Sequence, residues 1–265
     1  TVELIEAHGT GTRAGDIAEI EGLKIAFEES GRVDRQWCAV GSIKSQIGHT
    51  KSAAGAAGLI KAALALHERV LPPTIKVTTP NPGARFSESP FYVNSEARPW
   101  IRGGDHPRRA GVSAFGFGGS NFHITLEEYL GEGRRLARAT RRDVELFALS
   151  ADSDKSLCDR ARALLEQPGA ELARWSRELL KGFRAEAPAR ASFVAASLDD
   201  AKARLADVAA GRSSPLVFTG RGAPGKVALL FPGQGSQQVG MGAALAMHFD
   251  AARAVLDRAE SAQQL

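Results

Sequence analysis

The sequence has little cysteine, two residues among 265. Two thiols allow at most one disulfide, so the dense cross-linking of a small secreted domain is excluded. Cys38 lies in the apolar run WCAVGSI and is predicted to be a small buried side chain, whereas Cys158 lies in a polar helical pattern. Neither belongs to a pair with metal-ligand spacing, so no metal site is predicted. We expect a protein of the reducing cytoplasm.

Long hydrophobic runs are also absent. The most apolar stretch extends from Ala53 to Leu66, is interrupted by Lys61, and is shorter than the roughly 20 residues that a membrane-spanning helix requires. No membrane association is predicted. The first residues, TVELIEAHG, are typical of a buried strand and not of a signal peptide, which indicates a chain that begins within a domain.

Charge of one sign is scarce outside a single run. Lys and Arg total 34 against 30 acidic residues, and the local excess is confined to GRRLARATRR at 133–142. Aromatic residues make up 6% of the chain and none is interleaved with these arginines, so the stacking surface of a single-strand binder is missing. We interpret the run as a solvated linker and predict no nucleic-acid partner.

The apolar content, 43% of the residues, is enough for a sizeable core, and the length exceeds one average domain. Up to about Tyr129, strand-like runs alternate with helical patterns, which indicates an α/β domain. Helices are predicted at 16–29, with Asp16 as the N-cap, and at 53–69. Strands are predicted in TVELIEA, QWCAVGSI, PFYVNSE and on both sides of the glycine loop in RRAGVSAFGFGGSNFHITLEEY.

From about residue 130 the pattern is that of a small α+β unit without a cluster of polar site residues, which we interpret as a spacer. Its predicted helices are 153–166, 171–184 and 198–211, and its predicted strands are VELFALSA, ASFVAAS and PLVFTG. The segment RGAPGKVALLFPGQGSQQVGMG then predicts a buried strand, a Pro/Gly turn and a helix. The predicted domains are 1–130, 131–225 and 226–265.

Glycine-rich loops follow several of the apolar runs, and glycine lets a backbone approach a ligand closely. GFGGSN lacks the G-x-G-x-x-G spacing of a dinucleotide fold and is followed by a strand, and no phosphate-loop lysine signature is present, so no nucleotide cofactor is predicted. The loops are AHGTGTRAGD at 7–16, AFGFGGSNFH at 114–123 and FPGQGSQ at 231–237.

Two histidines are predicted to stand at strand ends, where ligands collect in open α/β sheets. His8 enters a Gly/Thr turn, and His49 precedes an Ala/Gly-rich helix. A neutral imidazole donates one N–H, so two converging rings can hydrogen-bond a developing oxyanion. Lys44 can tune their protonation or anchor a carboxylate. From the residues alone, two unrelated structural histidines remain the alternative, and neither has a His or Cys at metal spacing.

The motifs resemble a known family. EAHGTGTRAGD, GSIKSQIGHTKSAAGAAGLIK and GVSAFGFGGSNFHITLEE resemble the C-terminal signatures of β-ketoacyl synthases of the thiolase fold, in particular the ketosynthase domains of polyketide and polyunsaturated fatty acid synthases, the latter looking closest. FPGQGSQ resembles the opening of the malonyl/acyl transferase domain that follows in those enzymes. The resemblance implies an α/β fold, made of the C-terminal half of a thiolase-like domain, an α+β linker domain, and the first strand and helix of an α/β-hydrolase-like acyltransferase.

The resemblance also implies an activity, the decarboxylative Claisen condensation of an acyl thioester with a malonyl-carrier. In that reaction His8 and His49 hydrogen-bond the malonyl thioester carbonyl and stabilise the enolate that decarboxylation leaves. Lys44 is the supporting lysine of the same site. Gln234 belongs to the oxyanion region of the transferase.

Binding residues follow from the same motifs. Thr10 and Thr12 are expected to line the substrate tunnel and hydrogen-bond the phosphopantetheine arm of an acyl carrier protein. Phe117 is expected to gate the glycine loop and to contribute its backbone N–H to the oxyanion hole, with Gly118 and Gly119 giving it room. The chain itself is expected to bind no cofactor. Expected partners are the carrier protein, the N-terminal half of the ketosynthase, the rest of the acyltransferase, and a second copy in a homodimer.

The sequence departs from the family in several places. The family's nucleophilic cysteine comes from the N-terminal half of the domain, and neither Cys38 nor Cys158 matches its motif, so the chain alone is expected to be inactive. The serine elbow of the transferase is absent as well. Gly58 stands where stand-alone synthases often have a glutamate, which leaves the counter-ion of Lys44 unassigned. Ser120 replaces the commoner threonine of the glycine loop.

The small residues after His49 are predicted to let the next helix pack tightly beneath the imidazole, which fixes the ring for catalysis. Gly55→Leu is therefore expected to displace His49 and to abolish condensation in the complete enzyme. Two alternatives are a non-catalytic docking fragment and a thiolase-like enzyme that uses coenzyme A directly, although FPGQGSQ argues against the second.

Overall fold

The computed structural model of the chain forms two compact units. The first unit contains the described residues up to 132 together with those from Gln237 onward, and the second contains those from 143 to 236. The structure describes residues 2–104, 106–116, 118–132, 143–223 and 225–263, so the arginine-rich run at 133–142 lies outside the described residues.

The first unit is of α/β type. Its strands are β1 (Leu4–Glu6), β2 (Cys38–Gly41), β3 (Val70–Leu71), β4 (Phe91–Val93), β5 (Arg98–Pro99), β6 (Arg109–Phe115) and β7 (Asn121–Glu127). Its helices are α1 (Arg13–Glu28), α2 (Lys44–Ile47), α3 (Ala54–Glu68), α7 (Ala243–His248) and α8 (Asp250–Gln263), with short 3₁₀ turns at Lys51–Ala53, Pro82–Ala84 and Phe86–Glu88.

A mixed five-stranded sheet with β1 at its centre organises this unit. The strand order is β4-β2-β1-β6-β7, in which β4, β2, β1 and β6 run parallel and β7 runs antiparallel to β6. Leu4 lies opposite Ala39 on one side and Ala110 on the other. Strands β3 and β5 form a separate antiparallel pair.

The central strand is buried on both faces, including its last residue, Glu6. Leu4 packs with Ala62 and Leu66 of α3, whereas the next residue, Ile5, packs with Ile20 of α1 on the opposite face. Successive strand residues point to opposite faces, so α1 and α3 cover the two sides of the sheet.

Parallel strands place their carboxyl ends at one edge of the sheet. The segments that follow β1 and β2, and the last residue of β6, therefore meet at this edge. His8 comes directly after β1, Lys44 follows β2, and Phe115 ends β6. The topology thus brings residues far apart in the sequence to one place.

The start of α1 differs from the prediction. Thr12 is the N-cap, with extended backbone at φ −83° and ψ 138°, and Asp16 lies in the first turn, not at the cap. The N–H of Asp16 already bonds to the carbonyl of Thr12 inside the helix, while its carboxylate accepts the N–H of Gly11 at 3.2 Å. The residues before Asp16, from Arg13 on, are already helical, so the helix begins earlier than predicted.

The second strand, predicted over QWCAVGSI, ends two residues earlier in the structure, before Ser42 and Ile43. Strand β2 ends at Gly41, and Lys44 begins the short helix α2. The N–H groups of Ser42 and Ile43 bond to side chains, Thr74 Oγ1 and Glu6 Oε1, instead of continuing the ladder. The chain therefore turns before it reaches the lysine.

The second unit is a small α+β domain, as its pattern predicts. Strands β8, β9 and β10 form an antiparallel sheet with β9 in the middle. Ser153 and Ser197 cap α4 and α6, each accepting a backbone N–H from the first turn. Its elements are β8 (Glu145–Ala151), α4 (Asp154–Glu166), α5 (Leu172–Lys181), β9 (Ala189–Ala195), α6 (Leu198–Ala209) and β10 (Phe218–Arg221).

The buried strand predicted after residue 225 is not formed. Residues 225–231 are exposed and have no regular structure, with Leu230 92% exposed. A strand needs a hydrogen-bonding neighbour, and no strand in the described residues pairs with this segment. The helical segment predicted after the turn forms as two helices, α7 and α8, within the first unit, where Asp257 of α8 binds the buried guanidinium of Arg108 through both oxygens.

Candidate active site

His8 is held at the edge of the sheet through its backbone and its ring. Its N–H donates to Glu19 Oε1 at 2.7 Å, and the N–H of Gly9 donates to the other oxygen at 3.0 Å. On the ring, Nδ1 accepts the backbone N–H of Phe115 at 3.2 Å, and the two rings lie 5.3 Å apart. These contacts fix the position of His8 between α1 and the end of β6.

His49 lies after α2, one residue beyond Gly48, and not directly at a strand end as predicted. Its Nδ1 accepts the backbone N–H of Lys51 at 3.0 Å. The ring centroids of His8 and His49 are 5.7 Å apart and the ring planes meet at 83°. The structure therefore brings together the two histidines on which the sequence interpretation depends.

The hydrogen bonds define which nitrogen carries the proton in the neutral rings. A ring nitrogen that accepts a hydrogen bond carries no proton, so the proton of a neutral imidazole is then on the other nitrogen. In both His8 and His49 the accepting atom is Nδ1. Each neutral ring therefore presents Nε2–H as a donor.

Lys44 is half-buried and lies between acidic side chains. Burial lowers its pKa, and the carboxylates of Glu6 and Glu19 act in the opposite direction. The pKa of His8 is lowered first by burial and then by the positive charge of Lys44 and by His49. The local electrostatics thus favour the neutral form of His8.

Two carboxylates near the lysine were missed in the sequence. Glu6 ends β1 and is 2% exposed, and Glu19 of α1 is 9% exposed. Burial raises the pKa of both groups, while hydrogen bonds from backbone N–H groups lower it. Glu19 lies on the buried face of the amphipathic helix α1, next to Ile20, and an acid at such a position is the signal that was available in the pattern.

The loop after β1 packs directly on the segment after β2. Gly9 has φ +45°, and a Cβ at this residue would lie 2.7 Å from Cβ of Ser42. Only glycine allows both this conformation and this approach. The close contact between the loops places His8 beside the segment that carries Lys44.

The remaining predicted binding residues are exposed. Thr10 and Thr12 lie with their hydroxyl oxygens 3.5 Å apart. Thr10 and Lys44 line a cavity of about 290 Å³ that the two histidines do not line. In the glycine loop, Gly118 and Gly119 have positive φ, and Phe117 lies outside the described residues.

Gln234 and the cysteines lie elsewhere. Gln234 is in an exposed turn of the second unit. Cys38 is fully buried in β2, as predicted, and burial raises the pKa of its thiol well above the usual range. Cys158 lies in α4 of the second unit. Since the thiolate is the nucleophile, Cys38 is not suited to carry an acyl group.

The described residues include no group of three or more His, Cys, Asp or Glu arranged to hold a metal ion. None of the helices described is long and apolar enough to cross a membrane.

Comparison with protein-family models identifies the family. Residues 1–78 match the model described as "Beta-ketoacyl synthase, C-terminal domain". Residues 80–190 match the one described as "Ketoacyl-synthetase C-terminal extension". The chain belongs to the β-ketoacyl synthase family. This membership confirms the predicted family and, with the mixed sheet of the first unit, the predicted α/β, thiolase-like fold class.

Similar proteins are polyketide and polyunsaturated fatty acid synthases. Polyketide synthase PksL of Bacillus subtilis is 45% identical over 62% of this chain. A phenolphthiocerol/phthiocerol polyketide synthase of Mycobacterium tuberculosis is 38% identical over 94% of it. A polyunsaturated fatty acid synthase of a Thraustochytrium species is 36% identical over 99% of it. The chain spans 4%, 18% and 10% of the lengths of these relatives.

Among solved structures, the ketosynthase from module 6 of the bacillaene synthase of Bacillus subtilis is 37% identical to this chain. The match covers 83% of this chain and 39% of that chain, with a TM-score of 0.47.

Proposed function

We propose that this chain forms the malonyl-binding part of a ketosynthase active site in a polyketide or polyunsaturated fatty acid synthase. The observation that carries the proposal is the pair of imidazoles, 5.7 Å apart, that both accept backbone N–H groups at Nδ1. Two Nε2–H donors at this separation suit one oxygen atom placed between them. A thioester carbonyl that becomes an enolate is such an oxygen.

The reaction follows from this arrangement. The malonyl carboxylate leaves as carbon dioxide, and its bonding electrons pass to the thioester as an enolate, which His8 and His49 stabilise through Nε2–H. The enolate carbon attacks the carbonyl of an acyl thioester, a new carbon–carbon bond forms, and the thiolate leaves and takes up a proton. The products are a β-ketoacyl carrier, carbon dioxide and a free thiol.

Lys44 has a supporting part in this scheme. Burial lowers the pKa of His8, and the positive charge of Lys44 lowers it further, which favours the neutral ring whose Nδ1 accepts the Phe115 N–H. A neutral ring of this kind has one defined donor, at Nε2. The lysine therefore maintains the donor arrangement and does not itself take up the proton.

The acyl group must be carried by a thiol from another part of the synthase. Cys38 is buried with its pKa raised, and Cys158 is in the second unit. We infer that the nucleophile belongs to residues outside this chain, and that the chain alone does not condense substrates. Thr10 and Thr12 are assigned to the phosphopantetheine arm of a carrier protein, and residues 226–265, with Gln234, to the beginning of an acyltransferase.

The test separates decarboxylation from condensation in the complete synthase that contains this segment. With malonyl-carrier as substrate, His8→Ala and His49→Ala should each lower the rate of carbon dioxide release by about 10²–10³-fold, as expected for loss of one oxyanion donor. His67→Ala, at an exposed histidine of α3, is the matched control and should leave the rate unchanged.

Two results would contradict the proposal. A docking fragment predicts that His8→Ala and His49→Ala retain the full rate of carbon dioxide release. A thiolase-like enzyme that uses coenzyme A directly predicts that malonyl-coenzyme A is processed as well as the malonyl-carrier, and that Thr10→Val does not raise the KM for the carrier.

A further inference from the structure

Glu6 and Lys61 form a buried ion pair close to the segment that carries Lys44. Glu6, the last residue of β1, is 2% exposed, and its Oε2 lies 2.8 Å from Nζ of Lys61 on α3. The lysine is 9% exposed. Burying two charges costs desolvation energy that their attraction offsets only with good geometry, so such a pair is weak evidence of a purely stabilising role. The pair therefore calls for a local explanation.

The second oxygen of the same carboxylate supplies one. Glu6 Oε1 accepts the backbone N–H of Ile43 at 2.5 Å. Ile43 immediately precedes Lys44 and is the N-cap residue of α2. One carboxylate thus joins the central strand, α3 and the first turn of α2, and it holds the backbone that carries Lys44.

The side chain of Glu6 packs closely against α3 at Gly58. A Cβ at Gly58 would lie 3.0 Å from Cγ of Glu6 and 3.6 Å from its Oε1. Glu6 therefore fills the room beside Gly58, the position at which the sequence left the counter-ion of Lys44 unassigned. The negative charges that act on Lys44 come from Glu6 of the strand and Glu19 of α1, and not from α3.

We propose that Glu6, anchored by Lys61, is a positioning residue that fixes the turn of Lys44 through Ile43 and supplies the counter-charge of that lysine. The catalytic effect of Glu6 rests on the proposed function. If Lys44 moves, or loses the negative charge near it, the protonation of the His8 ring and its Nε2–H donor change. The structural part of the proposal stands on the contacts of the chain itself.

The first test measures Lys44 directly and needs no turnover. Glu6→Gln keeps an acceptor for Ile43 but removes the charge. In the chain labelled with ¹³C at lysine Cε, NMR titration should show a lower pKa of Lys44 in Glu6→Gln than in the unmodified chain, since the negative charge of Glu6 raises that pKa. The matched control is Glu21→Gln, which removes the partner of Lys24 in another 2.8 Å Glu–Lys pair and should leave Lys44 unchanged.

The second test uses the complete synthase. Glu6→Gln should lower kcat for carbon dioxide release at least tenfold, with KM for the malonyl-carrier changed less than twofold, and Glu21→Gln should change neither. If Glu6→Gln does not fold, Glu6→Gln combined with Lys61→Met removes both buried charges and takes its place in both measurements.

The outcomes distinguish this inference from the proposed function. An unchanged pKa of Lys44 in Glu6→Gln, or an unchanged kcat, overturns the role of Glu6 even if the histidine variants are inactive. A lowered pKa of Lys44 together with fully active His8→Ala and His49→Ala supports the contacts of Glu6 but overturns the catalytic interpretation on which its consequence depends.

Discussion

Glycine at position 58 allows α3 to lie close to the central strand. The stability change caused by one added methyl group, in Gly58→Ala, tests how tightly the two pack. In Gly58→Ala the new Cβ would lie 3.0 Å from Cγ of Glu6 and 3.3 Å from Cγ1 of Val112. Glu6 has little freedom to move away, because Lys61 and Ile43 hold its two oxygens. The added methyl therefore has to displace the helix.

Two opposing effects set the magnitude. Alanine is favoured over glycine within a helix by about 0.8–1.0 kcal/mol. Overpacking of a filled site costs about 1–3 kcal/mol. Gly58→Ala should therefore destabilise α3 by up to about 2 kcal/mol. Gly22→Ala is the matched control, since Gly22 is in α1 with nothing within 4 Å of its added Cβ, and it should stabilise its helix by nearly 1 kcal/mol.

Gly55 supplies an intermediate case. Its added Cβ would meet only Cβ of Ala114, at 3.2 Å, so Gly55→Ala should be close to neutral. Gly55→Leu places a much larger side chain against the same strand and should displace α3 and, with it, His49. In the complete synthase this variant should abolish condensation.

The assay is hydrogen exchange of the amides of α1 and α3, which gives the free energy of opening of each helix in the native chain. Relative to the unmodified chain, the free energy of helix opening should rise in Gly22→Ala, change little in Gly55→Ala and fall in Gly58→Ala. Equal stabilisation by all three substitutions would refute the close-packing explanation, and so would full condensation activity of Gly55→Leu.

Other predictions concern titration and thiol chemistry. Lys44→Met removes a positive charge that lowers the pKa of His8, so an NMR titration should show the pKa of His8 rising towards its ordinary value. Lys155→Met in the second unit is the control and should leave the pKa of His8 unchanged. If Lys44→Met does not raise it, Lys44 does not have the electrostatic role described. Cys38 should resist alkylation in the native chain and react after denaturation, since it is fully buried with a raised pKa, and it should do so more slowly than Cys158; equal native rates would show that the strand does not protect it.

Much of the fold was predictable because hydrophobic periodicity and capping residues act locally. The alternation of strands and helices in the first unit and the helices and strands of the second unit follow from patterns of neighbouring residues. Where the prediction failed, the competing contact was not local. Ser42 and Ile43 were predicted to belong to the second strand but lie outside it, because Thr74 and Glu6 bind their backbone N–H groups.

The sequence by itself determined most of the elements, the family, and the candidate residues His8, His49 and Lys44, because motif identity and periodicity are properties of short segments. Only the tertiary structure decided that the two imidazoles lie 5.7 Å apart, that both accept a hydrogen bond at Nδ1, and that the charges of Glu6 and Glu19 act on Lys44. The site forms because parallel strands end at one edge of the sheet. This brings the backbone N–H of Phe115 to the ring of His8, 107 positions away, and no sequence pattern marks such a contact.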